Sequence, residues 1–261
     1  MLPDTDAASE LEQLNRIPLA RLRELWATLP QKLAQLQSRA EHLQSADESA
    51  GRMAMTLAMA GHALAEDGAS IVRYFVQSAG HLAAALARRA APDEGEHRGP
   101  YEAELFLNVV GAFGDDNAWQ LCARLRPEQL RWPAHAAHAT QAMYLAQLQR
   151  VLGGELLHPA AVRQIEQLCA SVQANREDRR FVQPALAGLA ALERHDERAW
   201  NLALAQLVEA HAQEAMDGDF QAQPEGLVCM RALMLARLGL DADLACRIDS
   251  AYLPLYLFSQ D

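Results

Sequence analysis

Residues that favour strands are scarce in this chain. Val, Ile and Thr together fill 18 of 261 positions, whereas Ala fills 51 and Leu 40. The best helix formers dominate and the β-branched residues are few, so a sheet-based fold is excluded and an all-α fold is predicted. Lysine is nearly missing as well: Lys32 stands alone beside 22 arginines, against 34 acids, for a formal charge of −11. A polyanion or an anionic membrane needs clustered cations that this chain lacks, so nucleic acid and membranes are poor partners and a basic protein is the better one.

Long apolar runs are lacking too. The charge-free apolar stretch Met53 to Ala65 is interrupted by Gly61 and His62 and is shorter than the roughly 20 residues a bilayer span requires. The four cysteines, Cys122, Cys169, Cys229 and Cys246, lie far apart without a C-x-x-C, and the chain opens on an acidic Met-Leu-Pro-Asp-Thr-Asp. Both features predict a cytoplasmic protein with small, buried, unreactive cysteines. Neither G-x-G-x-x-G nor G-x-x-x-x-G-K-[ST] occurs, nor do G-x-S-x-G or H-E-x-x-H, so phosphate loops, a nucleophile elbow and a zincin helix are absent and no cofactor or metal is expected.

What is present is helical spacing punctuated by Pro, Gly and polar clusters. Leucines at 11, 14, 22, 25, 29, 33 and 36 recur at three- and four-residue steps, with Pro18 and Pro30 each opening a new helix. Further helices are predicted near Glu48 to Ala65, Gly68 to Ala91, Tyr101 to Phe113, Asp116 to Leu125, Ala134 to Leu152, Pro159 to Ala174, Phe181 to Arg194, Asp196 to Met216, Glu225 to Leu238 and Asp241 to Arg247. That makes about ten helices in antiparallel hairpins, as a bundle or a short α-hairpin array, in one domain of 261 residues. The segment Pro92 to Pro100, without an apolar residue beyond its prolines, is the candidate hinge. The apolar run Tyr252 to Phe258 is too short and too Pro-broken for a free helix and should pack back onto the body of the protein.

Several residues invite a chemical reading but have a simpler one. Two E-x-x-H matches, Glu94 to His97 and Glu155 to His158, fall in a Gly-rich loop and against Pro159, where a di-iron helix pair has no room. His135 and His138 share a helical face but lack a third ligand. Asp115 and Asp116, after Gly114, resemble magnesium-binding acids, yet acids in a first turn also satisfy free N–H groups. Trp26, Trp119, Trp132 and Trp200 are expected to anchor helix packing.

Acid is distributed unevenly. Between Ala91 and Ala123 stand Asp93, Glu94, Glu96, Glu102, Glu104, Asp115 and Asp116 against one base, Arg98, a local charge of −6. Between Trp200 and Met230 stand Glu209, Glu214, Asp217, Asp219 and Glu225 with no Lys or Arg, a local charge of −5. These segments are either solvated faces or a surface matched to a basic partner. In the second case Asp93, Glu94, Glu96, Asp115, Asp116, Glu209, Glu214, Asp217 and Asp219 are the candidate partner-binding residues.

The last third of the chain resembles the immunity protein 49 family. The resemblance rests on Phe181 to Leu204 with its aspartate turn at Asp196, the long following helix with His211, Gly226-Leu227 before an Ala- and Leu-rich helix, and the closing Ser250, Tyr252, Leu253 and Pro254. Trp200 stands where the family has phenylalanine. The resemblance implies a cytoplasmic antitoxin without catalytic residues, which binds one cognate toxin domain, one to one, and blocks it in interbacterial competition of the type VI secretion kind. Two other classes compete with it. A helical-repeat adaptor or chaperone for a secreted protein would show a detectable repeat, and a helical enzyme with a carboxylate-bound metal would show a metal-dependent melting temperature.

Overall fold

The computed structural model describes residues 15–40, 44–88, 100–126, 129 and 139–259. Within them lie ten α-helices and no strand: α1 (Leu19–Ala40), α2 (Gln44–Ala63), α3 (Gly68–Arg88), α4 (Pro100–Phe113), α5 (Asp116–Ala123), α6 (Ala139–Leu152), α7 (Pro159–Ala170), α8 (Gln183–Glu193), α9 (Glu197–Asp217) and α10 (Met230–Asp241). The all-α expectation holds. A π-helical turn, Asp178–Val182, leads into α8, and short 3-10 turns lie at Pro224–Leu227 and Leu255–Phe258.

Helices α1, α2 and α3 pack in succession, α3 meets α4, and α4 meets α10, which also carries the α8–α9 pair. The sequence explains why α4 and α10 are central. Tyr-Glu-Ala-Glu-Leu-Phe-Leu-Asn-Val-Val-Gly-Ala-Phe is apolar around most of its circumference, and such a helix is stable only when surrounded; every residue from Ala103 to Phe113 is buried. Met230 to Ala236 are likewise all buried. One contiguous apolar core runs from Ile17 to Leu257, with a smaller cluster of Leu33, Ala50, Ala54 and Leu57 between α1 and α2.

Three expectations are corrected. Pro30 does not start a helix but lies inside α1, because Trp26, Leu29, Leu33 and Leu36 form one stripe against α2 whose burial outweighs the backbone bond that proline removes. The helix predicted from Glu225 to Leu238 is two elements, the turn Pro224–Leu227 and then α10. Between them the Cys229 N–H donates to the Tyr252 carbonyl at 2.9 Å, and this tail contact interrupts the helical ladder. Asp241 to Arg247 is not a helix. After Asp241 the chain turns through Asp243, at a φ of 59°, and becomes irregular. Asn201 holds it against α9, its amide donating to the Ala245 carbonyl at 3.0 Å and its Oδ1 accepting from the Arg247 N–H at 2.8 Å.

Trp200 is fully buried, donates its indole N–H to the Leu235 carbonyl at 3.1 Å, and lies over Gly239, where any Cβ would overlap the ring. Trp26 and Trp119 are partly buried packing residues, while Trp132 lies outside the described residues. Cys122, Cys169 and Cys229 are buried and Cys246 partly so, all as free thiols; burial pushes the Cys122 thiol up to about 12 and those of Cys169 and Cys229 up to about 11.

The tail docks as expected. Tyr252, Leu253 and Leu257 are buried, and Phe258 packs 5.6 Å from Phe113 between ring centroids. His62 clips it in place: Nε2 donates to the Ala251 carbonyl at 2.9 Å, which leaves Nδ1 to accept from the Tyr256 hydroxyl at 3.0 Å. Truncation before Tyr252 removes several buried side chains worth roughly 1.5 to 3 kcal/mol each. Calorimetry should therefore show a melting temperature lower by several degrees or more, or the variant should fail to express as soluble protein.

Candidate functional site

Two of the central helices each carry one buried charged residue, Glu104 on α4 and Arg231 on α10. They are 1% and 7% exposed. The Arg231 guanidinium forks onto the Glu104 carboxylate, Nε to Oε1 and Nη2 to Oε2, the latter at 3.0 Å, and Nη2 also reaches Glu177. Gln141 of α6 donates to the Glu104 Oε2 at 2.7 Å. The guanidinium lies 4.4 Å from the centre of the Phe181 ring, which the π-helical turn presents to it. Removing either ion would strand the other in the interior, so the network fixes α4, α6, α10 and the π-turn relative to one another.

Above this network opens a groove of about 710 Å³. Its walls include Tyr101, Phe181, Phe220, Glu177, Asp219 and Glu225, together with Arg52 and Arg176. Tyr101 is 37% exposed, and its ring centre lies 5.5 Å from that of Phe220. Both arginines are already engaged: Arg52 pairs with Glu102 and with Glu48 at 3.5 Å, and Arg176 pairs with Glu214 at 2.7 Å. Burial raises the Glu177 carboxyl above the usual carboxylate range, with Arg231 opposing. A smaller chamber of about 20 Å³ adjoins the groove floor, lined in part by Glu104, Asn108, Glu225 and Arg231.

His211 of α9 holds the groove's loop in place. Its Nε2 donates to the Gly226 carbonyl at 3.1 Å, and its ring packs edge-on to Tyr252 and tilted to Phe220. Desolvation lowers its pKa from 6.5 to about 4, so the folded protein holds it neutral. The unfolded chain takes up this proton as the pH falls through 6.5 while the folded state resists until about 4. Stability is therefore full above pH 6.5 and declines towards pH 4, by about 3 kcal/mol in total for this group. Urea unfolding at a series of pH values should show that slope, and His211→Gln should flatten it.

The acids singled out from the sequence are dispersed. Asp219 and Glu214 line the groove, but Glu214 is largely buried and paired with Arg176 and Arg180. Asp217 is exposed and faces Arg16 at 3.3 Å, an ion pair of little energetic weight. Glu209 lines a separate cleft of about 380 Å³ beside Arg179. Asp115 caps α5 by accepting from the Ala118 N–H at 2.8 Å, and Asp116 is exposed beside it; both lie past the far end of α4, about 18 Å along its axis from Tyr101. Asp93, Glu94, Glu96, His97, His135, His138 and most of the candidate hinge lie outside the described residues. Glu155 pairs with Arg150 at 2.8 Å and His158 caps α7 by accepting from the Ala161 N–H. Among the described residues no group of three or more His, Cys, Asp or Glu side chains is placed to hold a metal ion.

Sequence reading missed Tyr101, Phe220, Glu177 and Arg231. A signal for Arg231 existed, since the single cation inside Met230 to Ala236 and the single acid inside Ala103 to Phe113 each require a partner once buried. No local pattern pointed to Glu177, which reaches the groove from the helical turn just before Asp178–Val182, or to Phe220, which reaches it from the turn after α9.

The residues that suggested a family also meet here: His211 binds Gly226, packs on Tyr252, and through Phe220 shapes the groove wall. No curated protein and no solved structure matches the chain. Residues 37–257 match the family described as Immunity protein 49. That span reaches from α1 to the docked tail, well beyond the C-terminal third, and the chain belongs to the immunity protein 49 family.

Proposed function

We propose that this protein acts as a single cytoplasmic domain that neutralises one cognate toxin by tight one-to-one binding, and that the groove between α4 and the Asp219 to Glu225 loop meets a basic region of that toxin. Family membership supports the immunity function. The observation that carries the location is the groove itself, where an exposed tyrosine ring packed on a half-buried phenylalanine stands beside acids without a salt bridge among the described residues. Interfaces of high specificity combine an aromatic anchor with charges that suppress wrong partners. Covering the toxin's basic cleft would block its active site without any chemistry by the immunity protein.

The acids outside the groove, Asp115, Asp116, Glu209 and Asp217, then serve mainly to steer a basic partner towards the surface. The test is survival of cells that co-express the toxin encoded beside this gene. Wild type should protect fully, an Asp219→Lys, Glu225→Lys pair should lose protection, and Asp116→Lys should retain it. Full protection by the groove pair moves the interface elsewhere, and failure of wild type to protect removes the immunity reading.

A further inference from the structure

The groove holds more acid than its own bases answer. Glu104 and Glu177 share the single guanidinium of Arg231, Arg52 serves Glu48 and Glu102, and Arg176 and Arg180 both serve Glu214. Asp219 and Glu225 on the rim form no salt bridge among the described residues. The raised pKa of Glu177 has the same origin, a buried carboxyl with too little positive charge nearby.

A second observation lies deeper. Asn108 of α4 is 1% exposed, lines the small chamber with Glu104 and Glu225, and its Oδ1 has no hydrogen-bond partner. A buried carbonyl oxygen without a donor is costly. The chamber has room for one water-sized group, which is also the size of a terminal side-chain nitrogen.

We propose that the groove receives one arginine side chain of the bound partner, its guanidinium against the Tyr101 and Phe220 rings and its nitrogens donating to Glu225 and to Asn108 Oδ1. The proposal rests on the reading that the toxin docks in this groove, and it names the group that enters it. Arginine fits better than lysine for three physical reasons: the guanidinium is planar, sheds water more readily than an ammonium, and can stack on a ring while bonding edgewise to a carboxylate. The protein already uses that arrangement beneath the groove, where Arg231 stacks on Phe181 and forks onto Glu104.

The test needs no toxin. The full chain is titrated with end-blocked Gly-Arg-Gly and with its lysine and citrulline counterparts, citrulline being the uncharged isostere, and binding is followed by the NMR signals of the Tyr101 and Phe220 rings. The arginine peptide should shift these signals saturably. The citrulline peptide should bind roughly tenfold more weakly or not at all, and Glu225→Gln should weaken the arginine peptide by a similar factor without changing the melting temperature. Absence of a saturable shift, equal binding of arginine and citrulline, equal binding of arginine and lysine, or indifference to Glu225→Gln each overturns the proposal. So does sedimentation showing a dimer that Glu225→Gln dissociates, because a second copy would then fill the groove. Should the peptides fail while groove variants still lose protection against the toxin, the arginine assignment falls and the groove remains the interface.

Discussion

Arg231→Ala is expected to destabilise the protein by about 3–5 kcal/mol, equivalent to roughly 10 °C in melting temperature. Glu104 is 1% exposed and would keep only the Gln141 amide as a partner, while Phe181 would lose the cation stacked on it. The penalty comes from a buried charge left alone and exceeds the net worth of the pair. The double variant Glu104→Met, Arg231→Met should accordingly recover more than half of the loss, because two apolar side chains of similar volume replace both charges at once. Thermal unfolding of the three proteins decides it. A loss below about 1 kcal/mol for Arg231→Ala would mean that water reaches the pair, as it does at surface ion pairs.

This network and the groove above it were only partly legible in the sequence. The all-α fold followed from the shortage of Val, Ile and Thr, and the helix boundaries from Pro, Gly and polar punctuation, which includes three residues that cap: Asp115, His158 and Asp196 each accept a backbone N–H in the first turn of the helix they precede. The failures came where a distant contact overrides local preference. Pro30 reads as a helix start until the α1 stripe is seen against α2, and Asp241 to Arg247 reads as a helix until Asn201, some 40 residues earlier, supplies its hydrogen bonds. The charge windows misled in the same way. Glu214 belongs to a stretch without a single base, yet Arg176 and Arg180 come from outside that stretch to neutralise it. Glu225 counts as only one acid among many in sequence, and its neighbours Tyr101 and Asn108 lie more than a hundred residues away.

Truncation of the groove's aromatic wall should have the largest effect on binding. Tyr101 is the exposed ring of the pair and lies at the start of α4, so Tyr101→Ala removes an anchor while leaving the core intact. An interface residue of this kind contributes about 2 kcal/mol or more, which is at least thirtyfold in affinity. The loss should appear as faster dissociation, whereas Asp219→Lys should mainly slow association and flatten its dependence on salt. Phe220→Ala is less clean, because that ring also supports His211.

The most direct measurement is the dissociation constant for the toxin encoded beside this gene, determined for wild type and for Tyr101→Ala combined with Glu225→Lys. Wild type should bind one to one, and the double variant should show a constant at least roughly a hundredfold higher, at a melting temperature within a few degrees of wild type. A double variant that binds within about twofold of wild type would contradict docking in the groove.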